Sequence, residues 1–300
     1  MREELLLHNV TTQASGEAAA WVPCGGYRQD KLIKPPGERG VRAAARVPNV
    51  SSPSPEIDAA LAEGARLSAA RRYDEALAVY RRVLQRDPIN IQAYKALAIT
   101  LRALGRPAEA FEAWQQIIAL APRTPTGYLQ QGHTLLEMKQ YQEAVVRYER
   151  ALQLDQNMTE ALLGLGQALE GLRRPEEALA VYRRASRTDP TAVMAYVLGC
   201  ELLLRLNRSF DALQVAQRAL EIDPNQARAW LVRAEGLMLS GSYRSALDVF
   251  ERVIQLEPDD RRGYDGKARA LACLGRHAEA EQAAKQANLR GRRSGGAEPR

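Results

Sequence analysis

Aromatic residues are scarce in this chain, 6% of 300 residues, while Ala, Leu, Glu, Gln and Arg recur throughout. Those five lose little side-chain entropy in a helix, so the composition favours an all-helical protein. Cysteine is equally sparse. Cys24, Cys200 and Cys273 form an odd, widely spaced set with no CxxC pair, which excludes a disulfide framework and a zinc site and suits a reducing, cytoplasmic compartment. Long apolar runs are missing as well. The start, MREELLLHNVTT, holds three consecutive leucines behind two glutamates, too few for a signal peptide or a membrane span, and Val22-Pro23-Cys24 lacks the pattern of a lipoprotein site.

Chemistry is hard to find in what remains. His8, His133 and His277 lie far apart, none with Cys, Ser or carboxylate at metal or triad spacing. Gly25-Gly26 does not lie between a strand and a helix, as a phosphate loop requires. Cys200 and Cys273 are expected to be compact apolar fillers rather than nucleophiles. Neither a catalytic residue, a cofactor nor a metal is therefore expected.

The apolar fraction of 46% supports a sizeable core. Net charge is +6, but it is uneven: +1 over residues 1–56, +1 over 57–284 and +4 over 285–300. The excess lies in the tail KQANLRGRRSGGAEPR, whose few cations would bind nucleic acid only weakly and with strong salt sensitivity. A solubilising tail is the expectation, and nucleic acid is not an expected partner. Residues 1–56, with Pro35-Pro36-Gly37 and Ser51-Ser52-Pro53-Ser54-Pro55, read as a mostly disordered leader with a short helix near Leu5.

Between these ends the chain has a period. An alanine recurs every 34 residues without a gap: Ala76, Ala110, Ala144, Ala178, Ala212, Ala246 and Ala280. Nine residues before each stands a leucine, from Leu67 to Leu271, and three before each leucine a small residue: Gly64, Ala98, Gly132, Gly166, Cys200, Ala234 or Ala268. Bulky residues face these small ones, Tyr94, Tyr128, Leu162, Tyr196, Trp230 and Tyr264 in one column and Tyr80, Trp114, Tyr148, Tyr182 and Phe250 in another. Turns such as Leu104-Gly105-Arg106-Pro107 divide each unit, and Pro88, Pro122, Pro190, Pro224 and Pro258 end most of them. Spacings of three, four and seven then give two antiparallel helices per unit, stacked in register because neither buries its apolar face alone.

These residues resemble the tetratricopeptide repeat, whose unit of 34 carries a large residue fourth, a small one eighth, Ala twentieth, an aromatic twenty-fourth and Pro thirty-second. The resemblance implies an all-α, right-handed superhelical solenoid of seven units, 57–90, 91–124, 125–158, 159–192, 193–226, 227–260 and 261–294, followed by a disordered tail, 295–300. Departures stand out: Leu at the eleventh position of every unit, Gln156 for proline, and Ala216 and Ala284 for the second-helix ring, so the fifth unit is expected to be thinner.

The resemblance also implies that the first helices line a concave groove. It would present Lys95, Arg102, Gln130, His133, Glu137, Glu160, Gln167, Glu170, Glu201, Arg205, Arg228, Glu235, Arg262 and Arg269, with Leu129, Leu163, Val197, Leu198, Leu231 and Met238 between. Such a wall, acidic in its middle and basic towards its carboxyl end, suits a protein or peptide segment rather than a small-molecule substrate. It does not match the clamp by which related co-chaperones hold chaperone tails, because Ile99, Gln130, Glu160 and Gly164 occupy places that need Asn, Lys or Arg. The expected function is a non-enzymatic interaction scaffold. Two rivals stay open: the recruiting part of a glycosyl or sulfuryl transferase whose catalytic domain lies on another subunit, and an assembly factor peripheral to a membrane.

Overall fold

A computed structural model describes residues 55–295, with side chains to residue 291. The expectations for the leader up to residue 54 and for the tail beyond 295 lie outside the described residues. Fourteen helices follow one another: α1 (Pro55–Ala69), α2 (Tyr73–Arg86), α3 (Ile91–Ala103), α4 (Pro107–Leu120), α5 (Pro125–Glu137), α6 (Tyr141–Leu154), α7 (Thr159–Gly171), α8 (Pro175–Thr188), α9 (Val193–Arg205), α10 (Ser209–Ile222), α11 (Ala227–Leu239), α12 (Tyr243–Leu256), α13 (Arg261–Cys273) and α14 (His277–Gly295). They form seven antiparallel pairs, each packed on the next, an all-α superhelical solenoid.

The recurring leucine does more than fill the core. Four residues after it the backbone turns left-handed in all seven units, at Arg71, Gly105, Lys139, Arg173, Asn207, Gly241 and Gly275, with φ from 58° to 75°. The next amide then returns to the leucine carbonyl, Arg72 to Leu67 at 2.9 Å, Arg106 to Leu101 at 2.8 Å and Ser242 to Leu237 at 2.9 Å, which satisfies a carbonyl orphaned at the helix end. Glycine takes this conformation freely; elsewhere an L-residue carries the strain. The residue after the turn is an arginine in five units. It pairs with an acid three residues on, as Arg72 does with Glu75 at 2.6 Å and Arg276 with Glu279 at 2.6 Å, placing a carboxylate at the start of the second helix where the dipole favours it.

A second device joins unit to unit. The ring that opens a first helix donates to the carbonyl of the proline six residues earlier: Tyr128 to Pro122 at 3.3 Å, Tyr196 to Pro190 at 3.4 Å, Trp230 to Pro224 at 2.8 Å and Tyr264 to Pro258 at 3.0 Å. Where the proline is Gln156 the ring is Leu162, and Arg184 takes over the carbonyl at 3.0 Å. Two departures that look separate in the sequence are one exchange.

Stacking depends on matching large with small. Tyr148 is fully buried between α5 and α7, and a Cβ added at Gly132 or Gly164 would lie 2.6 Å or 2.3 Å from its ring. Tyr182 uses Gly166 in the same way, and Phe250 uses Gly266. In the fifth unit Ala216 supplies no ring, but the pair is not thin. Cys200 stands where the other units have Gly or Ala, it is buried together with Ala216 and Val232, and the central cluster runs through all three from Ile118 to Val232. The odd-numbered helices also touch one another, α1 on α3, α5 on α7, α9 on α11 and α11 on α13, so they form the inner layer of the curve. The last helix is the longest, and near its end Arg290 lies over the Tyr264 ring at 5.7 Å and near Asp259 at 3.7 Å.

The two kinds of helical glycine should respond oppositely to alanine. At Gly266 a Cβ would lie 2.0 Å from buried Phe250, so Gly266→Ala is expected to cost about 1–2 kcal/mol despite better helix propensity. At Gly199 the nearest atom is 3.7 Å away, and Gly199→Ala should gain about 0.5–1 kcal/mol. Urea unfolding of both variants measures the two signs.

Candidate functional site

Charges on the inner layer are arranged in rungs between neighbouring first helices. Arg102 of α3 reaches α5, donating from Nε to both Glu137 oxygens at 3.1 and 3.2 Å and from Nη1 to Gln130 Oε1 at 3.1 Å. Arg205 of α9 pairs back with Glu170 of α7, which also accepts from the Tyr182 hydroxyl. Arg228 of α11 clasps Glu201 of α9 with two bonds of 2.7 and 2.8 Å, and Arg269 of α13 pairs with Glu235 of α11. Arg262 is held in its own turn by Asp260 at 2.6 Å. Ten of the fourteen polar residues expected along the groove are thus tied to one another or to a neighbouring turn.

The other four are Lys95, His133, Glu160 and Gln167. Among the described residues Lys95, Glu160 and Gln167 make no hydrogen bond or ion pair, and His133 makes a tilted ring contact with Tyr148 at 5.6 Å. Burial pushes the His133 pKa below its ordinary 6.5, Arg102 adds to that, and Glu160 and Glu137 oppose it. Burial also raises the Tyr148 phenol, which stays neutral, and its hydroxyl finds no partner although the residue is fully enclosed. In the next unit the equivalent hydroxyl of Tyr182 has Glu170.

Among the apolar residues expected on the wall, Leu129, Val197 and Leu198 are buried in the core instead, because their side of the helix faces the adjoining pair. Leu163, Leu231 and Met238 are half-buried. Sequence reasoning took Ile99 only as a departure from the co-chaperone clamp and passed over Leu239, yet at 59% and 50% these are the two most exposed large apolar side chains of the inner layer. Their places in the period, ninth and thirteenth, were the available signal. Cys200 is a core filler as expected: its thiol donates to the Ala212 carbonyl at 3.1 Å and burial raises its pKa to about 12. Cys273 is not a filler; at the end of α13 it is exposed. A shallow cavity of about 600 Å³ beside Leu231, Glu235, Arg262 and Arg269 marks the carboxyl end of the wall.

Two family models described as tetratricopeptide repeat match residues 67–128, 135–199, 201–260 and 234–294. The chain belongs to the tetratricopeptide-repeat family. No curated protein matches this tetratricopeptide-repeat chain in sequence. Among solved structures it is similar to PilF of Pseudomonas aeruginosa, 20% identical with a TM-score of 0.57 over 71% of this chain and 97% of that one. It is also similar to a tetratricopeptide-repeat protein of Parabacteroides merdae, 15% identical with a TM-score of 0.62 over 78% and 93%. MamA of Desulfovibrio magneticus is 18% identical, with a TM-score of 0.51 over 56% and 96%. At these identities the likeness shows the fold. No described helix is long and apolar enough to cross a membrane.

Glu201→Lys would set two cations across α9 and α11, with an expected loss of about 1 kcal/mol at low salt that largely vanishes near 1 M NaCl. Urea midpoints at the two salt levels check it. A second expectation concerns pH. Because the folded chain holds His133 below 6.5, the unfolded chain binds its proton more readily, so this contribution is complete above pH 6.5 and is lost as pH falls towards the folded value. His133→Gln should remove that part of the slope when urea midpoints are followed downward from about pH 7.5.

Proposed function

We propose that this tetratricopeptide-repeat protein is a non-enzymatic interaction scaffold that holds a segment of a partner protein against the inner wall formed by its first helices. The observation that carries the reading is the wall itself. Its rungs Arg102–Glu137, Glu170–Arg205, Glu201–Arg228 and Glu235–Arg269 hold the helices side by side, while the solvent-facing Ile99 and Leu239 stay uncovered. A surface of that kind offers apolar anchor sites within a fixed pattern of charge, which is how extended or helical segments are recognised. Association with membrane components or with a transferase would use the same wall and needs no chemistry from this chain.

A photocrosslinking amino acid placed at Gln167, on the inner layer, is expected to capture a partner that the same group at Val146, exposed on α6 of the outer layer, does not. Equal capture of that partner from both positions overturns the reading, as does transfer of a glycosyl or sulfuryl group by the isolated chain.

A further inference from the structure

The polar groups that remain open on the inner wall are not spread along it. Lys95 lies on α3, His133 on α5, and Glu160 and Gln167 on α7, within units two to four. In units five to seven Glu201, Arg205, Arg228, Glu235, Arg262 and Arg269 are all engaged, and a partner would have to replace ion pairs it could only match. Replacement of one pair by another brings little net gain, whereas a charge left facing water between low-dielectric walls gains from a new counter-charge.

Ile99 lies in this same stretch, one turn after Lys95 and one before Arg102 on α3, and at 59% exposure it is the most uncovered apolar side chain of the inner layer. The wall is also unusual two units further on. Gly164 has no side chain, and the Tyr148 hydroxyl fills that place, 2.6 Å from where a Cβ would stand. That hydroxyl is the enclosed and unpartnered one, and the His133 ring packs at a tilt against the same tyrosine at 5.6 Å. One hydrogen bond is therefore left unmade between units three and four.

We propose that the partner segment docks across units two to four, with an aliphatic side chain seated on Ile99, an acidic residue beside Lys95 and a basic residue on Glu160. The inference rests on the reading of the inner wall as the binding face. The acid and the aliphatic residue lie over α3 and the base over α7, whichever way the segment runs. Neighbouring helix axes stand about 8–10 Å apart, so the path from α3 to α7 is about 20 Å, or about six residues of extended chain. The basic residue is thus expected about six positions from the aliphatic one.

Selection of a displayed library of random dodecapeptides on the intact protein tests this. Enriched peptides should carry an acid close to an aliphatic residue and a base about six positions from that aliphatic residue. A fluorescent consensus peptide should lose about tenfold in affinity on Ile99→Asp and on Glu160→Lys, both exposed sites where folding is not at issue, and change less than about twofold on Arg269→Gln. Replacing the peptide's basic residue with Glu should restore binding to Glu160→Lys. Loss on Arg269→Gln with no loss on Ile99→Asp or Glu160→Lys overturns the placement and leaves the inner wall as the binding face. Enriched peptides that ignore every inner-wall variant, or a library that yields no enrichment, overturn both.

Discussion

Tyr148 has no room to move: the backbones at Gly132 in its own unit and Gly164 in the next close on both sides of its ring. The solenoid depends on that kind of contact. A helix pair of this length is marginal alone, and it becomes stable only when the next pair covers it, so the energy of the fold lies in the faces between units. Close packing makes those faces exacting, because a ring needs a gap of its own size and a gap without a ring is a cavity. The fifth unit shows the rule from the other side. With Ala216 in place of a ring, the small position of the same unit enlarges to Cys200, and the buried cluster continues through Val232.

Each unit must also be aimed, and backbone chemistry does this. The leucine carbonyl that accepts the returning amide stops the first helix at one residue, and the left-handed residue sets the angle at which the second leaves. Between units, the bond from a ring to a proline carbonyl fixes where the next first helix begins. The Gln156 and Leu162 exchange makes the dependence visible: where Gln156 replaces the proline the donor ring is absent, and Arg184 of the following second helix substitutes. Repetition of the same two constraints produces an inner layer whose residues recur in register.

The fold was legible because it rests on local, periodic signals. The alanine and leucine columns need one side-chain size at one spacing, and nothing distant can alter that. The wall was only half legible, for a physical reason. Position in the period says which side chains lie on the first helices, but not whether Glu201 faces water or Arg228, since the arginine that reaches it stands 27 residues further on and in another phase of the repeat. Leu129, Val197 and Leu198 carry the same lesson: a position that the period places on the wall is covered in the structure and joins the core. Ile99 was visible all along, yet an apolar residue at such a place gains meaning only once it is known to be uncovered.

A wall whose charges are mostly paired internally behaves differently from one of free charges. Exposed pairs add little to stability individually, but four in series hold the inner helices at fixed spacing without presenting a field to solution. Any segment that comes to lie there meets neutral, ordered surface along most of its length and unmet polar demand at few points. Discrimination then comes from those few points, because a mismatched residue leaves a charge desolvated and unpaired, which costs more than a matched one gains.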